Sequence, residues 1–277
     1  MSKTQLNVRP IAGALGAEIL GVNLATDLDD DMFMPIHQAL LDHCVIMFRD
    51  QDISPQDQID FAKRWGGLHK HPFMPGLNSH PEVLEVVKKE DDTHTLGGDW
   101  HTDQMFTAVP ALATMLYAKE TPPAGGDTLF ANMYLAYESL SGAMKAMLAD
   151  ARTVNSYTKN KGRAAAMKND YSDGEPEEYV HPLFRTHPET GRKTLYLSYK
   201  GVTRRIDGLT NAESEPILDF LMSHATRPEL TCRFSWEPGS LCVWDNRSVM
   251  HLAVNDYHGY RRVMHRLTIE GQPIKVV

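Results

Sequence analysis

Within the run Gly97-Gly98-Asp99-Trp100-His101-Thr102-Asp103, an imidazole and a carboxylate stand two residues apart. On an extended backbone, residues i and i+2 project to the same side, so His101 and Asp103 can converge on one divalent cation. With thirteen histidines in the chain, a hydrogen-bonded surface pair is the competing reading of this spacing taken alone. A second histidine completing a two-histidine, one-carboxylate face would leave three coordination positions open, the arrangement of non-haem Fe(II) oxygenases. The same donors with a bound water would instead suit a zinc hydrolase. Further polar residues gather near the C-terminal end, in Trp244-Asp245-Asn246-Arg247-Ser248-Val249-Met250-His251, Asn255-Asp256-Tyr257 and Arg261-Arg262-Val263-Met264-His265-Arg266.

Such residues need a scaffold, and the sequence is patterned for one. A chain of 277 residues, 42% hydrophobic and 23% charged, can bury a sizeable core, and it reads as one domain over 1–277. Short apolar alternations over residues 5–24 suggest a hairpin. Residues 30–43 have helical spacing, and Cys44–Phe48 reads as a buried strand. Ser54-Pro55 marks a helix start that runs toward Gly66-Gly67. Residues 69–98 are turn-rich around an alternating strand at Val83–Val87, and their setting predicts an active-site lid. Strands are expected at Ala111–Ala118, Thr128–Phe130, Leu183–Thr186, Thr194–Leu197, Arg233–Trp236, Ser240–Trp244 and Arg261–Ile269, and helices at Ala136–Ala151 and Ala212–His224. A charged, weakly patterned insert occupies about 158–180. Many short strands with a few outer helices predict a mixed α/β, mainly β fold, with a double-stranded β-helix (jelly-roll) core and flanking helices.

Composition narrows the function classes. A formal net charge of −8 opposes bulk attraction to nucleic acid or an anionic membrane, so any bound anion must meet local positive charge. No apolar run is long enough to span a bilayer and the first residues lack a signal-peptide core, which predicts a cytoplasmic protein. Cys44, Cys232 and Cys242 lie in apolar runs without CxxC spacing and read as reduced core thiols.

Taken together, WHTD around His101, GGDT at Gly125–Thr128, and WDNR-x3-H followed eleven residues later by Arg262 of RRVMHR resemble the taurine dioxygenase/TfdA-type Fe(II)/2-oxoglutarate dioxygenases, along nearly the whole chain. The resemblance implies His101, Asp103 and His251 as iron ligands. It also implies Thr128 and Arg262 as the holders of the distal carboxylate of 2-oxoglutarate, with O2 as the oxidant. A guanidinium that grips a carboxylate through paired N–H groups, helped by a hydroxyl, suits that task. Related halogenases lack the carboxylate ligand, so the presence of Asp103 argues for hydroxylation. The family also implies a homodimer or homotetramer.

Arg266 stands where the taurine enzymes carry the sulfonate-binding arginine, and His71 matches their substrate-facing histidine. Met74 and Gly97 depart from that pattern, replacing a tyrosine and an asparagine. Polar contacts are lost at both places, so a larger or less polar anion becomes as suitable as taurine: an alkyl sulfate or sulfonate, an aryloxyalkanoate, or another organic acid. Phe73, Met74 and Met105 could line its pocket. His265 should point away from Arg262, Met264 and Arg266 on a regular strand. Trp236 and Trp244 read as sheet packing, Asp245-Asn246-Arg247 as a hydrogen-bonded turn, and Lys88–Asp92 as solvated surface. A non-catalytic jelly-roll binding protein is the rival from another class. A missing iron ligand or cosubstrate residue would favour it, and none is missing, while a zinc hydrolase would give Thr128 and Arg262 no evident task.

Overall fold

A computed structural model describes residues 6–26, 28–70, 75–157 and 177–274. Its first elements follow directly from local chemistry. β1 (Asn7–Pro10) and β2 (Ala17–Leu20) form the expected hairpin. Asp29 caps α1 (Asp30–His43) by accepting from the Met32 N–H. The chain then turns through Cys44, at φ 65°, into β3 (Val45–Phe48). α2 (Pro55–Lys63) opens on a reciprocal capping box between Ser54 and Asp57, with Pro55 where its missing N–H costs nothing. β4 (Leu68–His69) and β5 (Leu84–Lys88) follow, then β6 (Ala113–Glu120) and β7 (Thr128–Asn132).

The predicted helix over Ala136–Ala151 is in fact two, α3 (Met133–Glu138) and α4 (Gly142–Met147). Asn132 caps the first and Ser141 the second, and these side-chain acceptors satisfy N–H groups that a continuous helix would have used internally. β8 (Arg152–Asn155), β9 (Tyr179–Pro182), β10 (Phe184–Thr186), β11 (Lys193–Leu195) and β12 (Thr203–Ile206) form small sheets at one side. α5 (Asn211–Ala225) is closed at its start by a Thr210–Glu213 box. The chain finishes with β13 (Thr231–Phe234), β14 (Leu241–Asp245), β15 (Val249–Ala253) and β16 (Arg262–Ile269).

Two sheets make the jelly roll. The larger runs β1-β2-β3-β14-β6-β16-β4, with β5 also on β16, and the smaller runs β13-β7-β15. The two-residue period of a strand explains why β3 and β14 are apolar throughout: both faces are covered. Ile46, Phe48, Leu241 and Val243 face a cluster with Ile36, Leu40 and Phe61 of α1 and α2. Val45, Met47, Cys242 and Trp244 face inward, against Phe130, Phe234, Val249 and Met264 between the sheets. A third cluster joins α3 and α5 to Leu183, Leu195 and Met250.

All three cysteines are free and buried, and burial pushes the Cys44 and Cys232 thiols up to about 12, which keeps them inert. Lys88 corrects the expectation for Lys88–Asp92. It is only 4% exposed, because its strand pairs it opposite Arg262 and its ammonium sits 4.5 Å above the Tyr257 ring. Most of the insert expected around 158–180 lies outside the described residues. Among the described residues no helix is long and apolar enough to cross a membrane.

Candidate active site

His101 and His251 are brought together by their own backbones. His101 N–H donates to the His251 carbonyl at 3.0 Å and His251 N–H to the His101 carbonyl at 2.9 Å, an antiparallel bridge between segments 150 residues apart. The two rings then lie 4.0 Å apart, centroid to centroid. The Asp99 carbonyl lies 2.7 Å from His101 Nδ1, which favours a proton there and leaves Nε2 as the free lone pair. His251 packs against Trp244, ring centroids 4.6 Å apart. Burial, and next the neighbouring His101, hold the His251 ring well below the usual imidazole range, so it is neutral and able to ligate.

Asp103 closes the set. Its Oδ1 lies 3.6 Å from His101 Nε2 and its Oδ2 lies 3.9 Å from His251 Nε2, and one ligand atom from each of the three residues falls within 4.8 Å of the others. Burial would raise the Asp103 carboxyl, but Arg266, whose Nη2 is 2.7 Å from Oδ1, and the two histidines hold it well below the ordinary carboxylate range. Behind it, Thr114 Oγ1 donates to Oδ2 at 2.6 Å and accepts from Asn246 Nδ2 at 3.0 Å, while Asn246 Oδ1 accepts from Trp244 Nε1 at 3.1 Å. The turn Asp245-Asn246-Arg247 therefore aims the carboxylate as well as β15. Two imidazoles and one ionised carboxylate on one side of a small volume fit a divalent metal with open positions.

Thr128 and Arg262 face the same cavity. Arg262 is 6% exposed, yet its Nε and Nη2 have no hydrogen-bond partner, and no carboxylate among the described residues pairs with it. Its guanidinium carbon lies 5.6 Å from the Trp236 ring centroid, and among the described residues the Tyr257 hydroxyl is the side-chain acceptor beside it. Trp236 Nε1 donates to Thr128 Oγ1 at 3.0 Å, so this indole has a polar task beyond sheet packing. Gly125 and Gly126 explain the turn before Thr128. Both have positive φ, and added Cβ atoms would meet Asp256 Oδ1 at 2.6 Å and Tyr257 at 3.2 Å. The Gly126 N–H instead donates to Asp256 Oδ1 at 2.7 Å, and Arg233 joins Asp127 to Asp256. The segments that lead into Thr128 and into Arg262 are thereby locked together.

A profile for "Taurine catabolism dioxygenase TauD, TfdA family" matches residues 7–268. The chain belongs to the TauD/TfdA family. It is 34% identical over 280 residues to an alpha-ketoglutarate-dependent sulfate ester dioxygenase of Pseudomonas putida, covering 97% of this chain and 90% of that one. It is 32% identical over 281 residues to an (S)-phenoxypropionate/alpha-ketoglutarate-dioxygenase of Sphingobium herbicidovorans, covering 96% of each. A crystal structure of a taurine dioxygenase from Burkholderia xenovorans superposes with a TM-score of 0.84 at 35% identity, over 96% of this chain and 90% of that one. As a TauD/TfdA protein, this chain is a 2-oxoglutarate-dependent non-haem iron dioxygenase.

The family site opens into a cavity of about 180 Å³. Beyond the candidate metal donors, Thr128 and Arg262, its wall is largely apolar and aromatic, with Leu96, Phe106, Tyr157, Tyr199 and Val202, while Asp99 and Gln104 add polar atoms and Arg266 supplies positive charge. Gly97 also lines it at φ +81°, and a Cβ there would stand 3.1 Å from His101 Cε1. His71, Phe73 and Met74 lie outside the described residues. Met105 is fully buried beside Tyr196 and Val202 and does not reach the cavity. His265 points to the other side of β16, toward Gln58 and Tyr117, as strand alternation requires. Sequence reading missed Thr114 and the polar role of Trp236, because no local spacing signals the turn that brings Asp103 back onto Thr114, or the meetings of Thr114 with Asn246 and of Trp236 with Thr128 more than a hundred residues apart.

Proposed function

We propose that His101, Asp103 and His251 hold Fe(II), that Thr128 and Arg262 hold the distal carboxylate of 2-oxoglutarate, and that Arg266 attracts the anionic head of a small organic substrate. The observation that carries this reading is the buried, unpartnered Arg262 guanidinium in the same cavity as the three metal donors. A buried cation without a counter-ion is costly, and a carboxylate brought by a ligand offsets that cost. Iron with 2-oxoglutarate and O2 supplies oxidation of a substrate C–H bond, with succinate and CO2 released. The protein's part is placement. Asp103 stays ionised, His251 stays neutral, the Thr114–Asn246 chain fixes the carboxylate, and the largely apolar wall limits water around the reacting carbon.

With Arg262 assigned to the cosubstrate, the aromatic wall beside Arg266 favours an anionic head on an apolar body. Alkyl sulfates, alkyl sulfonates and aryloxyalkanoates have that shape, in keeping with the names of the relatives. His71, Met74 and Gly97 would border this substrate, under a lid drawn from residues 69–98.

Anaerobic titration with Fe(II) and then 2-oxoglutarate tests the assignment without a known substrate. A visible metal-to-ligand charge-transfer band should appear, and should be lost in His101→Ala and Asp103→Ala. Iron binding with no band on adding 2-oxoglutarate would return the zinc-hydrolase and binding-protein readings to the front.

A further inference from the structure

We infer that Trp236 is a positioning residue that sets the protein's selectivity for a 2-oxo acid with a second, distal carboxylate. The inference rests on the proposed role of Thr128 and Arg262 and deepens it. Trp236 follows β13, whose Phe234 pairs directly with Thr128 of β7, so the indole overhangs the end of the smaller sheet where Thr128 begins. Indole nitrogen can only donate. Its N–H, 3.0 Å from Thr128 Oγ1, therefore fills an acceptor position of that hydroxyl and leaves the hydroxyl proton free to be given away. No other partner for the Thr128 hydroxyl occurs among the described residues.

The face of the same ring lies 5.6 Å from the Arg262 guanidinium carbon, near enough for cation–π attraction, and the indole is 6% exposed. One side chain thus orients both groups that would meet the distal carboxylate. Thr128 is turned into a donor, and Arg262 is held with Nε and Nη2 uncommitted. Neither effect bears on the 2-oxo acid end, which the metal would take. A group acting in this way changes affinity for a dicarboxylate and leaves the monocarboxylate analogue alone.

The test compares 2-oxoglutarate with 2-oxopentanoate, which lacks the distal carboxylate, by anaerobic titration of the Fe(II) protein followed through the charge-transfer band. Trp236→Phe keeps an aromatic ring and removes the donor. Loss of one oriented hydrogen bond to a charged group corresponds to a Kd for 2-oxoglutarate raised on the order of tenfold, with the Kd for 2-oxopentanoate unchanged. Thr128→Val should cost about the same, and adding Trp236→Phe to it should change Kd by less than about twofold, because the two act through one hydroxyl. Equal losses for both acids, no loss, or additive losses in the double variant each overturn the inference. Absence of a band in the unaltered protein instead removes the underlying cofactor reading.

A second measurement does not depend on the fold of the Trp236 variant. The chain has four tryptophans, so a spectrum of the 15N-labelled indoles is readily resolved. The indole N–H signal displaced by Thr128→Val should also shift with 2-oxoglutarate and stay in place with 2-oxopentanoate. An unresponsive signal refutes the assignment.

Discussion

Arg262→Met separates binding from stability. In the free protein the guanidinium is 6% exposed, burial disfavours its charged form, and the Tyr257 hydroxyl, the more distant Asp127 carboxylate and the Trp236 face offset this only in part. Methionine has a similar unbranched reach and no charge to desolvate, and its backbone would keep the pairing with Lys88 and Glu85's strand. Replacing a poorly compensated buried ion by a hydrophobe of similar length commonly stabilises by about 1–4 kcal/mol. Two orphaned N–H groups against one satisfied contact place this case near the middle, at about 2 kcal/mol. That corresponds to a Tm increase of roughly 4–8 °C for a chain of this size. Urea unfolding without 2-oxoglutarate measures the gain. With Fe(II) present throughout, 2-oxoglutarate at a hundred times its Kd should add about 2.7 kcal/mol to the unaltered protein by mass action and almost nothing to the variant. A variant less stable than the unaltered protein, or one that keeps the 2-oxoglutarate gain, would refute the view of Arg262 as a charge held unpaired for a ligand.

Thr114→Val removes the donor to Asp103 Oδ2 and strands Asn246 Nδ2, so Fe(II) affinity should fall about 10- to 100-fold while Thr114→Ser restores it; an unchanged iron titration would count against the positioning role. Gly97→Ala combines a left-handed backbone with a Cβ 3.1 Å from His101, and should cost about 1–2 kcal/mol of stability and weaken iron binding, read by thermal melts and the charge-transfer band. Arg266→Ala should raise the Michaelis constant for an anionic substrate far more than for 2-oxoglutarate, and equal effects in steady-state assays would sink that assignment. Asp245 gives a pH signature. Burial would raise its carboxyl, but Arg247 and His187 hold it far below its ordinary value of 3.8, so its stabilising contribution is complete above that value and is lost as pH falls toward the folded-state pKa. Urea midpoints between pH 5 and pH 2.5 should fall more steeply in the unaltered protein than in Asp245→Asn; parallel slopes would show that Asp245 is not the group responsible.

Local signals in the sequence were read where one short segment contains all the chemistry. Ser54, Pro55 and Asp57 sit within four residues, so α2 starts where its capping box predicts. His101 and Asp103 are two residues apart, His101 in an isolated bridge and Asp103 at the start of the following turn, so the donors of one short segment were legible together. Elements whose identity depends on a remote partner were harder. β15 carries His251, but Val249–Ala253 is short and follows a polar turn, and its pairing partner β7 lies more than a hundred residues earlier. Lys88 opens a charged run that resembles solvated surface, and only the register opposite Arg262 buries it. Trp236 reads as packing until Thr128, 108 residues away, appears at its N–H. The split between α3 and α4 was missed because apolar periodicity continues through Ser139–Ser141, while Ser141 starts a new helix by capping it.

The reciprocal backbone bridge between His101 and His251 also places metal binding late in the life of the chain. Until synthesis has passed residue 251, His101 and Asp103 offer two ligands at most, and the bridge that sets the angle between the rings cannot close. β7 and β15, which carries His251, pair across more than a hundred residues, and such non-local pairing is the slow part of β-protein folding. In the proposed role of these three residues, iron capture would follow the folding of the C-terminal strands, and a half-made chain would lack the third ligand.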